Sequence, residues 1–283
     1  MRCWITWMLL LTAFTAAGQK KPDLAFLDHL LKQEYHREVI HLSQKADLST
    51  MNRSYRDSLH YMRGWSWYAL KKLRLSAGEL NRITVESPFY HKSRFFAAYN
   101  HAHIKEYAQA LQDLNAIQIK KSSHQTLRHF EKAGIALLMR DYQKFDQAFS
   151  RVDTTYYPVT AESAKLNRYA TDLRSHRKKS PLLGGLMSSV IPGSGKIYAG
   201  KTGEGISSLL TVGGLGFVTW ENYRKRGIKD VKTLLLGTAF TLFYIGNIYG
   251  TVFTIKIAEH EFHKELDHKI LFNLHIPLRN AFD

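Results

Sequence analysis

Pro192-Gly193-Ser194-Gly195-Lys196-Ile197-Tyr198-Ala199-Gly200-Lys201-Thr202 leads into two apolar runs, residues 205–220 and 234–255, and this stretch decides what kind of chain this is. The second run holds 22 residues without a charged side chain. At about 1.5 Å per residue it reaches about 33 Å, enough for a hydrocarbon core of about 30 Å. The first run has only 16 residues. To cross, it must borrow from 197–202, tilt, or thin the bilayer locally. Trp220 and Tyr223 mark its far interface. The connector, 221–233, carries Arg224, Lys225, Arg226, Lys229 and Lys232 against Glu221 and Asp230. An excess of cations beside a span places that loop in the cytoplasm. The expectation is a transmembrane helical hairpin.

The amino-terminal end agrees with a membrane-linked address. Residues 1–18 combine Arg2, an apolar run and the small residues Ala16-Ala17-Gly18, the pattern of a secretory signal peptide. An uncleaved anchor helix is the alternative. Cleavage near Gly18 would export residues 19–173 and, after two crossings, return the tail to the same outer side. Cys3 is the only cysteine and lies in this leader, so the mature chain has no thiol for a disulfide or a zinc-thiolate site. The formal net charge is +16, from 40 Lys+Arg against 24 Asp+Glu. That balance suits anionic lipid or envelope polymers. Export and the dispersed basic residues argue against nucleic acid.

Residues 19–173 read as helical and repetitive. Helix pairs are expected over 23–31 and 36–46, 55–72 and 76–85, 93–105 and 107–117, and 125–140 and 143–152, with apolar residues at helical spacing such as Leu127, Phe130, Ala133 and Leu137. An acidic residue followed by tyrosine recurs at Glu34-Tyr35, Glu106-Tyr107 and Asp141-Tyr142, and Leu73 falls at the matching place of the second pair. A two-helix unit with a period near 34 resembles the tetratricopeptide repeat. The resemblance implies a solenoid that binds proteins or peptides and catalyses nothing; its glycine and proline positions are weakly matched. Trp65 and Tyr68, with Tyr61 on the same helix face, form a candidate binding anchor, the alternative being core between repeats. Residues 161–173 are expected to form a capping helix, and 174–181 a basic linker.

The module at 182–258 resembles a family of bacterial two-transmembrane hairpin domains, whose signature here is Pro192-Gly193-Ser194-Gly195, Tyr198 and Gly200-Lys201. The resemblance implies a hairpin and says little of activity. Residues 182–191 are apolar but too short to span and suit a re-entrant segment. Pro192 ends it, the glycines allow close backbone approach, and Tyr198 is expected at head-group depth with Lys196 and Lys201 near lipid phosphate. Gly246 and Gly250 share a face of the second span, and Ser207, Thr211 and Gly213-Gly214-Leu215-Gly216 offer small residues on the first. The two spans are therefore expected to pack through small residues, with Asn247 turned toward the first span or a second subunit.

Two chemical motifs are weighed and set aside. Residues 195–202 fit the phosphate-loop pattern G-x-x-x-x-G-K-[ST], but a working loop follows a buried strand in an α/β domain. In the tail, 259–283, His260, His263 and Asp267 share a helix face with Glu259, Glu261 and His268 nearby. A solvated amphipathic helix is expected there, with no metal and no cofactor.

The sequence thus points to an all-α protein: a tetratricopeptide-like helical-hairpin solenoid followed by a transmembrane hairpin, in the inner membrane of a Gram-negative cell with repeats and tail in the periplasm. It is expected to be a non-catalytic scaffold for envelope proteins or peptides, with lipid and other copies of the hairpin as further contacts. The alternative is a membrane-biogenesis factor acting through the PGxG hairpin. Candidate binding residues are Trp65, Tyr68, Pro192, Gly193, Gly195, Tyr198, Gly200, Lys201 and Asn247.

Overall fold

The computed structural model describes residues 21–282. The leader and Cys3 lie outside the described residues. Those described form thirteen α-helices and one 3-10 turn, with no strand. Two compact units result: residues up to Ala170 together with Ile270 onward, and Thr171–Lys269.

The first unit is built from helical hairpins. α1 (Leu24–Lys32) pairs with α2 (His36–Gln44), α3 (Arg53–Ala69) with α4 (Leu73–Leu80), α5 (Tyr90–His103) with α6 (Tyr107–Ala116), and α7 (Ser122–Leu138) with α8 (Tyr142–Phe149). α9 (Tyr157–Ser175) follows, beginning four residues before the expected cap helix. Side-chain caps set several starts. Asp23 accepts from the Ala25 amide at 2.9 Å, Asn52 from Tyr55 at 2.9 Å and Asp141 from Lys144 at 3.0 Å.

All four hairpins turn the same way. Glu34, Lys71, Lys105 and Arg140 each take the left-handed conformation, with φ of 61°, 60°, 66° and 60°. In each turn the following amide donates to the carbonyl five residues back: Tyr35 to Leu30, Lys72 to Trp67, Glu106 to His101 and Asp141 to Ala136, at 2.8–2.9 Å. This is the Schellman closure, which satisfies carbonyls that a helix end would leave unpaired. The packing keeps the same register. Seven residues before each left-handed residue stand Leu27, Gly64, Ala98 and Ala133, all buried; five residues after stand Val39, Ser76, Ala110 and Phe145, also buried. The close approach is sharpest at Gly64, where a Cβ would lie 2.6 Å from Leu80 Cδ2. Phe95, Phe96, Phe130 and Leu59 fill the interior, each contributing about 1.5–3 kcal/mol by burial.

The chain's last residues complete this core. Ile270, Leu274 and Leu278 are fully buried. Leu274 sits against Gly134, where a Cβ would meet its Cδ2 at 2.3 Å. The Asn273 amide donates to the Glu162 carbonyl at 3.2 Å and also to the Glu162 carboxylate. The segment read from sequence as a juxtamembrane tail therefore supplies, from Ile270 on, part of the helical-hairpin interior.

The second unit contains α10 (Pro181–Val190), α11 (Ser194–Tyr198), α12 (Thr202–Arg226) and most of α13 (Val231–Phe282), the 52-residue closing helix. Among the described residues α13 is the one helix long and apolar enough to cross a membrane. α12 has 25 residues, but its serines, glycines and charged ends dilute its apolar character.

Candidate functional site

The PGSG stretch is a packing device. Ser180 caps α10, accepting from the Leu183 amide at 3.3 Å, and Pro181 opens its first turn. After Pro192, Gly193 adopts φ 84°. A Cβ there would lie 2.0 Å from the Gly205 carbonyl oxygen, and one on Gly195 would lie 2.0 Å from that of Gly184. Only hydrogen fits at either place. Gly200 takes φ 89° and closes α11 by the same bond as the hairpin turns, the Lys201 amide donating to Lys196 at 2.9 Å. Tyr198 Oη accepts from the Ser180 amide at 3.2 Å, tying the two ends of the motif together. Lys196 Nζ donates to Ser208 Oγ at 2.9 Å, while Lys201 is exposed as the residue before α12.

The phosphate-loop match dissolves at this level. A phosphate cradle needs backbone amides free to point at the anion. Here the Gly195 amide donates to Ser188 Oγ, and those of Lys196, Ile197, Ala199, Gly200 and Lys201 all donate to carbonyls of the same stretch.

Small residues bring helices together in this unit, only in part at the positions expected. A Cβ on Gly213, Gly214, Gly246 or Gly250 would meet nothing within 4 Å. The close face lies between α10 and α13. Gly184 meets Ile255 and Thr251, Gly185 meets Val252, and Ser188 Oγ bonds Thr251 Oγ1 at 2.8 Å. Asn247 is turned the same way, its Nδ2 donating to the Ser188 carbonyl at 3.4 Å, and Tyr244 Oη donates to the Ser189 carbonyl at 2.5 Å. Span meets span closely at Gly216, where a Cβ would lie 3.0 Å from Phe240 Cε2, and the short apolar segment adds a second small-residue face on α13. A helix of ten residues leaves its polar groups close to lipid or water, and a run of Gly, Gly and Ser lets α13 cover them.

In the first unit, Trp65 belongs to an aromatic ladder. It stacks with Tyr68 (centroids 5.2 Å apart) and Tyr61 (6.1 Å), meets Phe96 edge-on at 5.0 Å, and is covered by the Lys92 ammonium at 4.7 Å. Tyr68 Oη lies 2.6 Å from His275 Nε2, so it joins the closing helix to the hairpins. Trp65 remains half-buried, with part of its ring at the surface.

Metal-competent side chains converge at one place among the described residues: His176, Glu259 and His263. His260 and His268, singled out by spacing, are exposed and lie apart from this cluster. His176 was invisible to spacing because it stands 83 residues from Glu259.

No family model, curated protein or solved structure matches the chain.

Proposed function

We propose that this chain is a non-catalytic scaffold: a helical-repeat domain held at the periplasmic face of an inner membrane, where it binds envelope proteins or peptides. One observation carries the membrane half of this reading, the inverted polarity of the second unit. Nine of its thirteen buried positions are small or polar, Gly184, Gly185, Ser188, Gly193, Gly195, Gly205, Thr233, Asn247 and Thr251, and the other four are Leu173, Val212, Ile255 and Leu266. Its large apolar side chains face outward: Leu182 is 73% exposed, Val190 80%, Leu210 70% and Phe217 68%. An exterior carrying this many large apolar side chains is costly in water and favourable in lipid.

A parity argument favours two spans. Ile270–Asp283 belongs to the same compact unit as the hairpins, so both must lie on one side of any membrane. If α13 crosses, a second crossing is required between Ala170 and Ile270, and α12 is the segment long enough to make it. The basic connector between α12 and α13 then faces the cytoplasm.

The binding half rests on the repeated hairpin register. Tetratricopeptide-like arrays bury one face of each hairpin on its neighbours and keep another for a partner. The tests separate the halves. Alkaline carbonate should leave the protein in the membrane pellet, and external protease should reach the hairpins from the periplasmic side; release into the supernatant would defeat the anchor. Exchange of residues 171–269 is not a clean swap, because the closing segment must return to the hairpins. The informative variant replaces the apolar surface of α12 and α13 while keeping the α10–α13 face. A partner crosslinked through Trp65 should still be captured when that variant is tethered by an unrelated lipid anchor. Loss of capture would favour action by the hairpin itself in biogenesis.

A further inference from the structure

The chain carries a triad of side chains outside both proposed working surfaces. His176 sits just past the end of α9, its amide donating to the Asp172 carbonyl at 3.0 Å, which holds it against the helix end. Glu259 and His263 stand one turn apart on α13, beyond the apolar run 234–255. His176 Nε2 lies 2.8 Å from Glu259 Oε2, and His263 Nε2 lies 3.1 Å from Glu259 Oε1. One ligand-competent atom from each residue falls within 4.8 Å of the others.

We propose that His176, Glu259 and His263 form a three-ligand site for a divalent transition metal, with zinc as the best fit to two imidazoles and one carboxylate. Metal bonds of about 2.0–2.2 Å at tetrahedral angles put ligand atoms about 3.3 Å apart. Each imidazole already stands near that distance from one of the two Glu259 carboxylate oxygens, and side-chain rotation gathers one donor from each residue round the ion. Phe262 stacks on the His176 ring, with centroids 3.8 Å apart and planes at 14°, and so fixes the ring that reaches in from outside α13. The side chains are 20–38% exposed, leaving solvent to fill the fourth position. The bound ion would clamp the segment after α9 to α13.

The test uses the full-length protein without an affinity tag, purified in detergent and stripped with a chelator. Titration with Co²⁺ should give visible absorption of a four- or five-coordinate His/carboxylate site, saturating at one ion per chain and reversed by Zn²⁺. Glu259→Gln and His263→Ala should each weaken Zn²⁺ binding at least about 10-fold, the loss seen even when groups supporting a ligand are removed. His260→Ala, on the exposed side of the same helix, should bind like the parent. Circular dichroism confirms that each variant is folded. Absence of the Co²⁺ spectrum, or affinities for the Glu259 and His263 variants equal to the parent, overturns the site and leaves the triad as an ion-pair latch.

Discussion

The two units obey opposite rules of construction from one alphabet. In the first, large side chains go inside: Phe95, Phe96, Phe130 and Phe145 are buried, while lysines and arginines hold the surface. In the second, glycine, serine and threonine make up most of the inside, beside Val212, Ile255 and Leu266, while Leu210, Phe217 and Trp220 go out. In water, burial of large apolar groups is the main favourable term. In lipid that term vanishes between helices, and close backbone contact takes its place. The contrast is what supports the lipid-facing reading proposed above for the second unit.

The sharpest way to break the contrast is a large-to-small change in the first unit. Leu274→Ala should cost about 2–5 kcal/mol, because Gly134 beneath it has no side chain to fill the void. Chemical denaturation followed by tryptophan fluorescence would read it, and a near-silent result would detach the closing segment from the core. Next comes the surface of the second unit. Leu242 is 66% exposed. Leu242→Arg should be nearly neutral in water but cost about 2.5–3.5 kcal/mol at the centre of a bilayer. A glycosylation-site insertion assay distinguishes the two outcomes. The third change reverses the first: Gly195→Ala should destabilise by about 1–3 kcal/mol through overpacking against the Gly184 carbonyl. Thermal aggregation in detergent would report it, and tolerance of alanine would remove the close-contact argument.

The smallest effect concerns Glu131, buried in the first unit with its Oε1 lacking a hydrogen-bond partner. Burial pushes its pKa well above the ordinary glutamate value. Below that ordinary value both folded and unfolded states are protonated and nothing is lost. As pH rises, the unfolded carboxyl ionises freely while the folded one is held neutral, so stability falls with pH. Glu131→Gln should raise the melting temperature at pH 8 and leave it unchanged at pH 4. An equal shift at both values would assign the effect to packing instead of charge.

Local order was legible in the residues, and long-range partnership was not. The hairpins and their turns declare themselves through a period near 34 and the residues that end each helix, because helix caps and Schellman turns depend on neighbours a few positions away. The left-handed residues themselves gave no signal, since Lys71, Lys105 and Arg140 are not types that prefer that conformation. In the second unit, glycine marked close approach, but spacing did not say which glycine would make it. Gly246 and Gly250 match a familiar spacing and meet nothing, whereas Gly184 and Gly185, inside the short apolar run, and Gly216 carry contacts. The union of Leu274 with Gly134, and of His176 with Glu259, spans more than 80 residues, beyond the reach of any periodicity.

That first union has a consequence for biosynthesis. Ile270, Leu274 and Leu278 are made more than two hundred residues after the opening helices, yet they plug the same structure. The nascent hairpins must wait, with an apolar seam uncovered, until that later segment emerges and packs home. Contacts so distant along the chain slow folding and expose the waiting intermediate to aggregation.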